Sequence, residues 1–86
     1  MPSKTAPIKP RNLFSEDAAR RIGEQIRTLR EQAQISQSEL ARRCEVSESA
    51  ISRLESGDRM PRTITVLRIS QALGVSASRL LKGAGL

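Results

Sequence analysis

The chain has 86 residues and a formal charge of +6, room for one small domain that buries only about 60 % of the surface its unfolded chain exposes. A single Phe (Phe14), no Trp and no Tyr, with Leu, Ile, Val and Ala throughout the middle, favour a core of packed helices over an aromatic-rich sandwich. The sequence has no His, no second Cys, no Gly-rich phosphate loop and no metal-ligand spacing, which speaks against an enzyme, a cofactor or a metal, and no apolar run approaches the roughly 18 residues needed to span a membrane.

The charge points to a polyanionic partner, nucleic acid before a membrane surface. Lys occurs only at Lys4, Lys9 and Lys82; the other cations are Arg, whose planar fork suits phosphates and guanine edges. Residues 1–14 hold Pro2, Pro7, Pro10, Lys4, Lys9 and Arg11 without apolar periodicity, and are predicted to be a flexible basic arm, either solubilising or following a DNA groove. They lack the apolar stretch of a secretion signal, and a lone Cys44 forms no internal disulfide, so a reducing cytoplasm is the expected location.

The domain is predicted over 15–86. Ser15 is placed to cap a first helix, with Glu16 and Asp17 answering its dipole. Ala18, Ile22, Ile26, Leu29 and Ala33 then form one apolar stripe at helical period. Three later segments share a helix-start pattern: Ile35-Ser36 before Leu40, Val46-Ser47 before Ile51, and Val75-Ser76 before Leu80. In each the Ser sits at the cap, the flanking apolar pair can form a hydrophobic staple, and Ser36 with Glu39 suggests a capping box. Gly57, Gly74 and Gly83 mark helix ends, and Pro61 keeps the preceding loop out of helix. The reading is all-α, with five helices at about 16–33, 37–44, 48–56, 64–73 and 77–82.

Only Glu45 to Ser47 separate helices 2 and 3, which forces a steep crossing, a helix-turn-helix. Leu40, Ala41, Cys44, Val46, Ile51 and Leu54 line its inner side, so Cys44 reads as a core residue. The outer side of helix 3 is Glu48, Ser49, Ser52, Arg53 and Ser56, a face of small polar residues around one Arg that fits a major groove about 12 Å wide.

Residues 22–82 resemble the phage repressor and Cro-like helix-turn-helix family, the XRE-type regulators. The resemblance is carried by Ile26-Arg27-Thr28-Leu29-Arg30-Glu31, Ser36-Gln37-Ser38-Glu39-Leu40-Ala41, Val46-Ser47, Ile51-Ser52-Arg53-Leu54-Glu55-Ser56-Gly57 with Pro61, and Ala72-Leu73-Gly74-Val75-Ser76. It implies a five-helix lambda-repressor-like domain that binds double-stranded DNA. Glu48, Ser49, Ser52 and Arg53 would then face bases, with Arg53 pairing with guanine and Glu48 either accepting from cytosine or only answering the helix dipole. Ser36, Gln37, Ser47, Ser56, Arg59 and Arg62 would meet the DNA backbone, and Arg30 with Glu55 would tie helix 1 to helix 3. Where the family usually has Gly in the turn, this chain has Glu45, and a left-handed backbone there would cost roughly 1 kcal/mol.

The implied function is transcription regulation, expected as repression by a homodimer on a near-palindromic operator, with half-sites about one helical turn, roughly 34 Å, apart. Leu80, Leu81 and Leu86, with the helix from Ile64 to Leu73, are the dimer candidates. The alternative is an antitoxin that holds a toxin partner while regulating its own operon. Dispersed basic residues make a membrane partner a poor fit.

Overall fold

A computed structural model describes residues 16–86. Among them five helices follow one another: α1 (Glu16–Gln32), α2 (Gln37–Cys44), α3 (Glu48–Ser56), α4 (Thr63–Leu73) and α5 (Ala77–Gly83). The predicted arm over 1–14 and the Ser15 cap lie outside the described residues.

The α1 stripe is buried at Ala18, Ile22, Ile26 and Leu29. Ala33, predicted to continue it, is exposed: α1 stops at Gln32 and the chain reverses through Gln34, whose φ is +60°. All five helices contribute to one core, with Ile26, Leu40, Cys44, Ile51, Ile69 and Leu80 fully buried at its centre. Cys44 is thus a core residue, and burial pushes its thiol pKa up, against a smaller opposing pull from the Arg68 charge.

Three of the four connections are built alike, which accounts for the recurring sequence pattern. Each has a left-handed residue (Gln34, Glu45 or Gly74), then an apolar residue (Ile35, Val46 or Val75), then a capping Ser (Ser36, Ser47 or Ser76). The left-handed residue lets two N–H groups return to the preceding helix: in the α2–α3 turn, Glu45 N–H reaches the Arg42 carbonyl at 3.2 Å and Val46 N–H the Ala41 carbonyl at 3.0 Å. The Ser hydroxyls then accept from Glu39, Ala50 and Arg79 N–H at 3.0, 3.1 and 3.0 Å. Ile35, Val46 and Val75 rest on the core that holds Leu40, Ile51 and Leu80. Orphan backbone groups on both sides of each turn are therefore satisfied within three residues.

The capping box at α2 forms by half. Ser36 caps Glu39 N–H, but the Glu39 carboxylate accepts from Arg42 and Arg43 of its own helix instead of returning to Ser36. Hydrogen bonds from Arg42 and then Arg43 hold its pKa down at about 2. At the C-terminus the left-handed residue is Gly85, whereas the predicted stop, Gly83, is the last residue of α5.

α1 crosses α3 at a point where only glycine fits. A Cβ on Gly23 would run into the Leu54 carbonyl oxygen, and one on Gly57, at φ +83°, would stand 2.9 Å from the Arg20 Cα. Leu80, predicted for a dimer contact, is fully buried in this core. It has no surface left to offer a partner.

The turn geometry makes Glu45→Gly stabilising by about 1 kcal/mol, because the left-handed strain is relieved at an exposed position. Gly23→Ala is expected to destabilise by about 1–3 kcal/mol through overpacking at the α1–α3 crossing. Urea denaturation of the two variants beside the parent protein measures both.

Candidate nucleic-acid interface

α3 has two chemically distinct sides. Ile51, Leu54 and Glu55 are buried, while Glu48, Ser49, Ser52, Arg53 and Ser56 are all exposed. The predicted face is therefore a continuous surface over both turns of the helix. Ser47, the cap, also lies 3.2 Å from Ser49 across their hydroxyls, and the Ser56 hydroxyl donates to the Arg53 carbonyl at 3.0 Å. The side chains of Ser52 and Arg53 make no hydrogen bond or ion pair with any described residue.

The orientation of this face is set from behind. Arg30 of α1 grips Glu55 of α3 with two bonds, Nε to Oε2 at 2.7 Å and Nη2 to Oε1 at 3.1 Å, and its third nitrogen donates to the Ile35 carbonyl at 2.9 Å. The side chains are 12 % and 3 % exposed, so the pair is shielded from water and its geometry is bidentate. Gln37 of α2 completes the set by donating its amide to Glu55 Oε1 at 2.9 Å. One carboxylate thus joins α1, α2 and α3. The predicted Arg30 and Glu55 pair is present, and Gln37, predicted to meet a phosphate, has one amide N–H turned inward onto Glu55, leaving the other available.

The first turn of α2 adjoins the first turn of α3. Ser38 donates to Glu48 Oε1 at 2.8 Å, and Ser36 is exposed at the α2 cap. On the other flank, Arg59 and Arg62 border a groove with Val46, Ala50, Met60 and Thr65. Arg62 is the N-cap of α4 and supplies no side-chain cap bond. The predicted base-facing residues and backbone-facing residues are thus gathered along one helix and its two borders.

Arginines on the supporting helices are largely paired, while three on or beside the α3 face are not, nor are Arg68, Arg79 and Lys82 elsewhere among the described residues. On α1 and α2, Arg20 and Arg21 pair with Asp17, Arg27 with Glu31, and Arg42 and Arg43 with Glu39. Arg53, Arg59 and Arg62 form no ion pair among the described residues. A free guanidinium keeps its donors for phosphate oxygens or the O6 and N7 of guanine. Sequence reasoning did not single out Ser38 or Gly23; only the register of α2 against α3, and of α1 against α3, reveals them.

The helix-turn-helix family model, HTH_3, matches residues 26–80, spanning the whole arrangement from mid-α1 into α5. The chain belongs to this helix-turn-helix family. Its XRE-type, DNA-binding character agrees with the resemblance seen in the sequence. The chain is 38 % identical over 65 residues to the HTH-type transcriptional repressor RghR of Bacillus subtilis (strain 168), a match covering 74 % of this chain and 48 % of that protein. It therefore spans about half the length of that relative. Among solved structures, the clp gene regulator ClgR from C. glutamicum superposes with a TM-score of 0.75 at 27 % identity, over 78 % of this chain and 87 % of that one. The restriction-modification controller protein C.AhdI from Aeromonas hydrophila gives 0.70 at 26 % identity, over 72 % and 94 %. The hypothetical transcription factor NHTF from Neisseria gives 0.72 at 30 %, over 84 % of each chain.

Because Glu55 has three donors around it and almost no water, Glu55→Ala is expected to cost about 3–5 kcal/mol by stranding the Arg30 charge. Urea unfolding measures that loss; a change under about 1 kcal/mol would mean that the pair does not hold α3.

Proposed function

We propose that this protein is a transcriptional repressor that binds double-stranded DNA through the major groove as a homodimer on a near-palindromic operator. The observation that carries the reading is the unpaired Arg53 among small hydroxyls on the outer face of α3, a helix fixed from behind by Arg30 and Glu55. Arg53, Ser49, Ser52 and Glu48 read base edges; Ser36, Gln37, Ser47, Ser56, Arg59 and Arg62 meet the backbone and set the register. Repression as the outcome is supported by the RghR likeness, and its simplest mechanism is steric exclusion of polymerase.

The dimer reading rests on α4. Ile64 and Leu67 are 53 % and 45 % exposed, and Leu67 borders an apolar groove of about 220 Å³ with Val66, Leu81 and Leu86. Of the predicted dimer candidates, Leu81, Leu86 and the α4 helix, through Ile64 and Leu67, remain in the proposal, and buried Leu80 leaves it. A module this small makes few base contacts, and a two-fold pair on half-sites about 34 Å apart doubles them.

Two variants separate the roles. Arg53→Ala is expected to lower discrimination at one base pair per half-site by about 1–3 kcal/mol while weak binding to random duplex persists. Arg62→Ala is expected to weaken all sequences alike and to reduce the salt slope by about 1. Competition binding across a salt series reads both, and equal effects of Arg53→Ala on selected and random DNA would remove it from the reading surface. Sedimentation at micromolar concentration is expected to give a dimer that Leu67→Glu dissociates; a monomer that binds DNA as one copy would contradict the homodimer.

A further inference from the structure

We propose that Ser38, on α2, is a specificity-determining positioning residue that holds Glu48 as a reader of cytosine. The inference rests on the DNA-binding reading above and deepens it. Ser38 and Glu48 stand on different helices, both exposed, and the Ser38 hydroxyl donates to Glu48 Oε1 at 2.8 Å. That is the hydroxyl's one hydrogen bond among the described residues, and Glu48 forms no ion pair there, which leaves Oε2 open.

A carboxylate at the front of a recognition helix is repelled by phosphates, and an unrestrained Glu would swing out toward water. The Ser38 bond opposes that swing. It also occupies a lone pair of Oε1 and fixes the carboxylate plane, so Oε2 is the acceptor Glu48 presents without a bond of its own. In the major groove the only base-edge donors are the amino groups of cytosine and adenine; guanine N7 and O6 and thymine O4 are acceptors and repel it. Adenine places its N7 acceptor beside the amino group, whereas cytosine places a carbon-bound hydrogen there. A carboxylate fixed in this way favours cytosine over adenine, because adenine N7 repels it, and both over guanine and thymine.

The test is selection of bound sequences from a random duplex pool by the full chain and by Ser38→Ala, Ser38→Thr and Glu48→Gln. The parent protein is expected to enrich cytosine at one position of each half-site. Ser38→Ala is expected to lose about fivefold of the preference at that position alone, with the melting temperature and random-duplex affinity unchanged. Ser38→Thr, which keeps the hydroxyl, retains the preference, and Glu48→Gln moves it toward adenine, whose amino group and N7 match a carboxamide. A Ser38→Ala profile identical to the parent's, or one flattened equally at every position, overturns the role of Ser38 while leaving DNA binding intact. A parent protein that enriches no sequence overturns the DNA-binding reading, and this inference with it.

Discussion

One buried carboxylate holds the outer face of α3 in place. Glu55 receives two bonds from Arg30 and one from Gln37, so three helices meet on a group that is 3 % exposed. A charge so placed is tolerable only because donors surround it, and those donors are also what fix the rotation of α3 about its own axis. Rotation matters here more than stability. A helix turned by one residue, 100°, would carry Arg53 into the buried position of Leu54 in one sense of rotation, or Leu54 into the exposed position of Arg53 in the other. The ion pair, with the glycine-lined crossing at Gly23, makes that rotation unavailable.

The same economy governs the turns. A left-handed residue, an apolar plug and a capping Ser are used three times, at Gln34 to Ser36, Glu45 to Ser47 and Gly74 to Ser76. Backbone satisfaction, core contact and a change of chain direction are all obtained in three residues. Only the third uses Gly; the first two accept a strained Gln and Glu, so the α1–α2 and α2–α3 corners store strain that the core around Leu40 and Ile51 must offset.

Much of this was legible in the chain itself. Periodicity found the helices because apolar residues recur at 3.6 in α1 and α3, and the caps are written as Ser before each short helix. The left-handed Glu45 was legible as a departure from Gly. What sequence pattern does not carry is the relation between helices. The fully buried Leu80 looked like spare apolar surface because α5 is too short for its stripe to be assigned to one side, and exposed Ile64 and Leu67 merged with the core residues of the same helix. The Gly83 stop was displaced to Gly85 because Ala84 still fits the last helical turn. Ser38 has the composition of any first-turn residue; its meaning depends on Glu48 lying across the crossing.

The claim on which everything else depends is that the outer face of α3 lies in the major groove with Arg53 on a guanine. Dimethyl sulfate probing of a selected duplex addresses it directly, because guanine N7 reacts from the major groove and adenine N3 from the minor. Guanine N7 protection is expected in two patches about 34 Å apart, with the protected guanine facing Arg53 regaining full reactivity in Arg53→Ala. Guanine N7 positions that stay fully reactive in the bound parent complex would contradict it.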